Sequence, residues 1–285
     1  MSINNKILIT GGNGYIGNNI YNALKKLNYT VLCPSKQQLN MIDINNVTDY
    51  FNTHNPNIII HSASCGGHRN FNDDYTTYIN NILMFENLMK VTTDNNHIIF
   101  YTSAADFDRR NNIHRIVEED VIKYYPLDPY GLSKNIIVRR ILQQYQNKKI
   151  HILRLFAIFN EFEIDSRFIK ASIHNIKNKI PIQIHQNKEM DFVYIDDLIS
   201  ITLYIIQNIK LINNLHLNIC YNKKTTLTDI ADIIRNYTYK LEPKTIILNN
   251  TIANSYSGNS DKLKTLNIPF IGLEEGIRRT INKLL

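Results

Sequence analysis

The sequence of 285 residues predicts an α/β fold, a doubly wound parallel sheet followed by a smaller mixed α/β lobe. Three observations predict it. Short apolar runs alternate with longer helical stretches through the first half of the chain. Those runs are apolar throughout instead of alternating, as strands covered on both faces are. Glycines cluster between the first run and the first helical stretch, in Thr10-Gly11-Gly12-Asn13-Gly14-Tyr15-Ile16-Gly17.

Taken in order, Lys6–Thr10 reads as a strand and Ile16–Leu27 as a helix. Thr30–Cys33 is a second strand, and Val47–Asn52 carries helical spacing. Asn57–Ala63 is a third apolar run, closed by Ser64-Cys65-Gly66-Gly67. Tyr78–Val91 is helical, His97–Thr102 a strand, Pro129–Tyr145 a helix and Ile150–Phe156 another strand. Beyond Phe156 the pattern loosens. Ser166–Asn178, Thr228–Asn236 and the tail Gly272–Leu285 are expected as helices, Phe192–Ile195 and Leu215–Cys220 as strands. The expected division is a nucleotide-binding domain over 1–160, completed by about 190–222, and a substrate-binding lobe over 161–189 and 223–285.

The glycine turn sits where a strand meets a helix, and this is the context that gives the pattern meaning. Early glycines permit a tight turn with positive φ. Gly14 lets the backbone approach a pyrophosphate, and Gly17 lets the helix pack closely on the strand. The helix start then offers N–H groups and its positive dipole end to phosphate. The turn, with Gly11, Gly14, Tyr15, Ile16 and Gly17 as its contacts, predicts a Rossmann-type dinucleotide site. Such units usually carry an acidic residue at the end of the second strand for the ribose 2′-hydroxyl. Here the strand ends Cys33-Pro34-Ser35-Lys36, and Ser35 and Lys36 suit a 2′-phosphate. NADP(H) is therefore the preferred cofactor, with NAD(H) as the alternative.

Tyr130-Gly131-Leu132-Ser133-Lys134 opens a helix behind Asp128-Pro129, typical first-turn residues. Residues four apart share a helical face, so the Lys134 ammonium is expected to lower the pKa of Tyr130 and fit it for proton transfer. Ser103 closes the strand Phe100-Tyr101-Thr102-Ser103. Doubly wound sheets place their ligands at such strand ends, where its hydroxyl can reach a substrate oxygen.

The formal net charge is +7, but the basic residues are dispersed, without a dense run or an aromatic-basic motif. That argues against a nucleic-acid partner and for polyanionic small molecules. No apolar run is long enough to span a bilayer, and the start carries no secretory pattern. Cys33, Cys65 and Cys220 form no CxxC pair and no metal spacing, as expected of reduced thiols in a cytoplasmic protein.

With these residues in place the chain resembles the extended short-chain dehydrogenase/reductases over nearly its whole length. The marks are the glycine turn, the Ser103 strand, Tyr130 with Lys134, Phe192-Val-Tyr-Ile-Asp-Asp197 and Leu273-Glu-Glu-Gly276. Within that superfamily, Gln38-Leu-Asn-Met-Ile-Asp43, Pro56-Asn-Ile-Ile-Ile-His-Ser-Ala63 and Gly66-Gly67 resemble dTDP-4-dehydrorhamnose reductases and GDP-fucose synthases. Both reduce a 4-keto-6-deoxy sugar carried on a nucleoside diphosphate. The resemblance implies that Ser103 and Tyr130 polarise the C4 carbonyl and that Lys134 holds the nicotinamide ribose. It implies that Asp43 and Ile44 flank the adenine, that Ala63 lies along the cofactor and that Gly66 and Gly67 belong to a substrate loop. It also implies a homodimer through Tyr78–Val91 and Pro129–Tyr145.

The departures from the family pattern narrow the reading. The Cys and His that GDP-fucose synthases use for epimerisation align with Ala104 and Arg167, neither of which serves as that acid/base pair at neutral pH. The Asp-Glu pair of dehydratases is replaced by Ala104-Ala105. The arginine that usually precedes Asp-Phe-Val is Met190, leaving Arg167, Lys170 or Lys188 to meet a diphosphate, with Arg167 and Lys170 as the substrate contacts chosen. The reading is a 4-keto-6-deoxyhexose reductase acting on a sugar nucleotide. Its alternatives are an NAD-dependent 4-epimerase and a non-catalytic NADP sensor on the same fold.

Overall fold

The computed structural model describes residues 6–67, 72–238, 244–251 and 253–285. The chain begins with β1 (Ile7–Thr10), α1 (Tyr15–Lys26), β2 (Val31–Leu32), α2 (Ile44–His54), β3 (Ile58–His61), α3 (Tyr75–Val91) and β4 (His97–Ser103). A short strand, β5 (Ile113–Ile116), precedes α4 (Pro129–Gln144) and β6 (Lys149–Leu155). Then come β7 (Ala157–Phe159), α5 (Phe168–Lys177), β8 (Ile182–Gln186), β9 (Phe192–Tyr194), α6 (Ile195–Asn208) and β10 (His216–Ile219). The chain closes with α7 (Leu227–Tyr237), β11 (Thr245–Asn249), β12 (Tyr256–Gly258), α8 (Asp261–Lys264) and α9 (Leu273–Leu284).

The chain forms two compact units. The first takes residues 1–108, 118–155 and 202–217, the second 109–117, 156–201 and 218–285. The first is built on a six-stranded sheet in the order β10-β6-β4-β3-β1-β2. The pairs β1·β2, β1·β3, β3·β4 and β4·β6 are parallel. Its central strands, Ile7-Leu8-Ile9 and Ile58-Ile59-Ile60, are β-branched or leucine and at most 1% exposed, the price of helices on both faces. α1 shows how the helices obey the same logic. Gly17, Ile20 and Leu24 form its buried stripe, Lys25 and Lys26 lie at its negative end, and Asn28 at φ 60° turns the chain out.

The second unit contains three parallel pairs, β7·β9, β8·β11 and β5·β12. Two features differ from the sequence expectation. Of the stretch 190–222, β10 lies in the six-stranded sheet, whereas β9 pairs with β7. Residues 195–208 form a helix, α6, where only the strand end at Ile195 was expected. Asp197, 1% exposed, accepts hydrogen bonds from the N–H groups of Ile271 and Gly272, at 2.7 and 3.0 Å, and from the Tyr221 hydroxyl. Its carboxylate therefore fixes the start of α9. Among the described residues no helix is long and apolar enough to cross a membrane, and no cluster of side chains suits a metal ion.

Candidate active site

The glycine turn is shaped by contacts that leave no room for side chains. Gly11 has φ +70°, and a Cβ there would lie 2.6 Å from the Ala63 backbone at the end of β3. Gly12 lies equally tight against the Cys33 thiol after β2. Gly14 is the N-cap of α1 and brings no side-chain cap, and no acidic residue sits in the first turn. The start of α1 thus keeps the positive character that a pyrophosphate needs. These are the features of a cradle for a dinucleotide, and the residues present fit one.

Thr10 locks this end of the sheet. Its Oγ1 lies 2.9 Å from His61 Nδ1 and accepts weakly from the Ala63 N–H at 3.4 Å. His61 is stacked on Phe100, and burial takes its pKa down to about 3, so the imidazole is neutral. Ala63 is in this way held against Gly11. Ser35 and Lys36 lie in the turn after β2, where Ser35 N–H donates to Gln38 Oε1 and Lys36 is exposed. Asp43 is the N-cap of α2, accepting from Asn45 and Asn46, and Ile44 is the first helical residue.

The start of α4 is fixed by Asp128, whose carboxylate accepts from the Gly131 N–H at 2.8 Å, and by Pro129 in the first turn. Asn135, fully buried, donates to the Asp106 carbonyl at 2.8 Å and so ties α4 to the turn that follows β4. Ser103, Tyr130 and Lys134 come together as a result. The Ser103 and Ser64 hydroxyls neighbour the Tyr130 hydroxyl, closely enough to act on its pKa. The Lys134 ammonium lies 5.8 Å from the Tyr130 ring centroid and 5.5 Å from that of Phe100.

Here the structure corrects the expectation for Tyr130. Its pKa is raised, because burial of the hydroxyl end outweighs the influence of the two serine hydroxyls, and Asp106 and Asp73 add to the rise. The ammonium stands over the ring and leaves the lowering influence to Ser103 and Ser64. Lys134 itself is 3% exposed, and burial brings its pKa down to about 8, partly offset by the Asp106 carboxylate. Asp106 is fully buried and accepts from Arg154 Nε at 2.8 and 2.9 Å and from Thr102 at 3.1 Å. Burial raises its pKa against the pull of Arg154 and Thr102, and the pairing with Arg154 accounts for it without a role as an acid.

Ser64 was missed by sequence reasoning. The available signal was its place just past the end of β3, where this topology puts ligands. Ser64 donates to Asn81 Oδ1 at 3.4 Å, Asn81 donates to Ser133 at 2.9 Å, and Ser133 returns to the Tyr130 carbonyl at 2.7 Å. The polar backing of Tyr130 therefore runs through α3 and α4.

Gly66 and Gly67 adopt φ +77° and +75°, and the Gly67 N–H donates to both Asp73 oxygens at 3.1 and 3.2 Å. A Cβ on Gly67 would lie 2.7 Å from Tyr130 Cζ. Gly67→Ala is expected to push the ring away from Ser103 and Ser64 and to lower kcat/KM roughly tenfold, about 1.4 kcal/mol of barrier. Steady-state kinetics check this, and an unchanged kcat/KM would show that the loop yields instead of the ring.

Arg167 and Lys170 belong to the second unit. Arg167 is the N-cap of α5. Lys170, 9% exposed, bonds Asp165 at 2.8 Å and the Glu163 carbonyl at 2.8 Å. Glu163 is 5% exposed, and burial drives its pKa up to about 8 against the pull of Arg167 and Lys170.

Comparison with known proteins agrees with this geometry. The GDP-L-colitose synthase of Yersinia pseudotuberculosis is 27% identical over 250 residues, covering 80% of each chain. The ADP-L-glycero-D-manno-heptose-6-epimerase of Brachyspira hyodysenteriae is 24% identical over 232 residues, 71% of this chain and 72% of that one. The structure of a GDP-mannoheptose C4 reductase from Campylobacter jejuni, with NADP bound, superimposes with a TM-score of 0.81 at 18% identity, over 99% of this chain and 98% of that one, so the fold is shared. The profile of the NAD dependent epimerase/dehydratase family matches residues 7–220, which carry the glycine turn, Ser103, Tyr130 and Lys134. This chain belongs to that family of NAD(P)-dependent enzymes.

Proposed function

We propose that the protein is an NAD(P)H-dependent reductase of a nucleoside-diphosphate 4-keto-6-deoxyhexose, without Cys/His-type 3,5-epimerase activity. The observation that carries this reading is the grouping of the Ser103 and Tyr130 hydroxyls with the Lys134 ammonium 5.8 Å from the Tyr130 ring centroid. The bound cofactor supplies hydride to the sugar carbonyl carbon. Ser103 donates its hydroxyl hydrogen to the carbonyl oxygen and so makes the carbon more electrophilic. Its Oγ is oriented by the Ala105 N–H at 3.2 Å. Tyr130 gives its proton to the same oxygen as negative charge develops there. Ser64 then turns its hydroxyl toward the phenolate. Lys134 holds positive charge beside the pair below about pH 8. Next to Ser103 stands Ala104, with no proton to exchange at the sugar's C3 or C5.

The test is NADPH consumption with a panel of UDP-, dTDP- and GDP-4-keto-6-deoxyhexoses, with C2 hydroxyl and C2 acetamido forms. Oxidation with one member is expected, without solvent deuterium entering C3 or C5. A second reading, a 4-epimerase, is supported by relatives named as epimerases, since the same three residues serve both reactions. Copurified NAD and silence across the panel would favour it.

We further propose that NADPH is preferred over NADH, because Ser35 and Lys36 end the second strand region where a carboxylate would otherwise sit. A charge-assisted contact to a 2′-phosphate is expected to give at least about a tenfold preference in kcat/KM. Lys36→Ala should erase most of it, and a preference for NADH in the wild type would refute the assignment.

A further inference from the structure

We infer that β11 is an interaction surface, and that the partner it fits is β11 of a second copy of this chain, laid antiparallel along its free edge. The two strands of this small sheet in the second unit are built differently. In β8, Ile182 and Ile184 are buried while Gln183 and His185 are exposed. That alternation belongs to a strand with one face on a core. β11 does not alternate. Ile246, Ile247 and Leu248 are 42, 37 and 58% exposed, three apolar residues in succession. Successive side chains point to opposite faces, so the strand shows apolar surface on both sides.

Its place at the edge explains this. Among the described residues β11 pairs with β8 alone. Ile247 lies opposite Ile184 and on the same face, where Ile184 is 1% exposed. What uncovers Ile247 is the open flank on its other side. The N–H and C=O groups along such a flank form a template for a further strand. Edges are commonly guarded by charge, proline or a bulge. β11, Thr245-Ile-Ile-Leu-Asn249, has no charged residue and no proline, and it keeps one register with β8 from Thr245 to Asn249.

The order of residues in the strand selects the occupant. A two-fold axis normal to the sheet at Ile247 sets two copies antiparallel and keeps their faces matched. Ile247 then meets its own copy, Ile246 meets Leu248, Thr245 meets Asn249 and Lys244 meets Asn250. Apolar falls on apolar and polar on polar, and the two lysines stand apart. A strand from a different chain would need no such palindrome. This surface is separate from α3 and α4, which belong to the first unit. Five-residue strands bury less than the roughly 800 Å² per partner of a stable complex, so the association is expected to depend on concentration.

The experiment is sedimentation equilibrium of the full chain across a concentration series, for the wild type, Ile247→Lys and Ile247→Thr. The wild type is expected to double its mass as concentration rises. Ile247→Lys sets two ammonium groups face to face at the axis and should weaken the association at least about tenfold. Ile247→Thr keeps a strand-forming residue with less apolar surface and should weaken it less. Thermal unfolding and NADPH binding should match the wild type in both variants, which separates loss of contact from loss of fold. Register is read by copper-catalysed air oxidation with peptide mass analysis. Ile247→Cys should cross-link to its own copy, and Ile246→Cys only when mixed with Leu248→Cys, because a disulfide needs directly opposed positions. Equal masses for the wild type and Ile247→Lys at every concentration would overturn the inference and leave this edge to a different chain. A dimer formed through helices alone would give that result. Cross-linking of Ile246→Cys to itself, without that of Ile247→Cys, would overturn the two-fold pairing.

Discussion

Tyr130→Phe is expected to lower turnover by roughly 10²–10⁴-fold, the usual worth of a placed proton donor, while NADPH binding stays close to wild type. The substitution removes one oxygen and keeps the ring that packs on Gly67. What is lost is the proton and the polar interaction with Ser103 and Ser64. A pH profile separates Tyr130 from its neighbour. Because burial raises its pKa, Tyr130 stays in the proton-carrying form across the neutral range. Lys134, depressed to about 8, is the group that titrates first. In wild type, kcat/KM should therefore decline above about pH 8, as the ammonium loses its proton. Ser64→Ala should reduce kcat without moving that limb, since Ser64 acts on the tyrosine. Retained turnover in Tyr130→Phe would remove it from the acid role.

Arg154→Leu is the substitution expected to harm folding most. Arg154 and Asp106 are both fully buried, and the guanidinium also lies 4.5 Å from the Phe107 ring centroid. Removing one partner leaves a carboxylate without its cation in the interior, a loss of about 3–5 kcal/mol. The double variant Arg154→Leu/Asp106→Leu is expected to recover much of that, because no charge is then stranded. It carries a functional signature that a packing defect would not. Asp106 supports the charged form of Lys134. Without it the Lys134 pKa falls further, and the alkaline limb of kcat/KM moves to lower pH. Thermal unfolding of the single and double variants, with their pH profiles, checks both statements. A double variant as unstable as the single would show that the pair is not the source of the loss.

The sequence displays the first unit clearly because its signals are local. Strands with three consecutive apolar residues, a glycine turn and an Asp-Pro helix start each specify their own geometry. The second unit is harder to read. α6 was missed because Leu198-Ile-Ser-Ile-Thr-Leu-Tyr-Ile-Ile206 is β-branched and apolar on all sides, a run whose periodicity does not separate buried helix from strand. β5 and β12 are short, and their pairing joins residues far apart in the sequence. At the site, residue types and order were legible, and the trio lies together. The electrostatics were not. The i, i+4 spacing of Tyr130 and Lys134 implies a lowered phenol pKa, but burial and the carboxylates of Asp73 and Asp106, remote in sequence from Tyr130, reverse the sign.

The pairing of β5 with β12 also bears on how the chain is made. Ser255 reaches back to Asn112 across 143 residues. At about 5–20 residues per second, a ribosome needs roughly 7–30 s to synthesise that interval. All strands of the six-stranded sheet have been synthesised by residue 219, so that sheet can close while β5 still waits for its neighbour. During that interval β5 is an open edge, the kind of surface that chaperones hold and that foreign strands join. Its exposed residues are His114 and Arg115, and their polarity suits a strand that must stay alone until β12 appears.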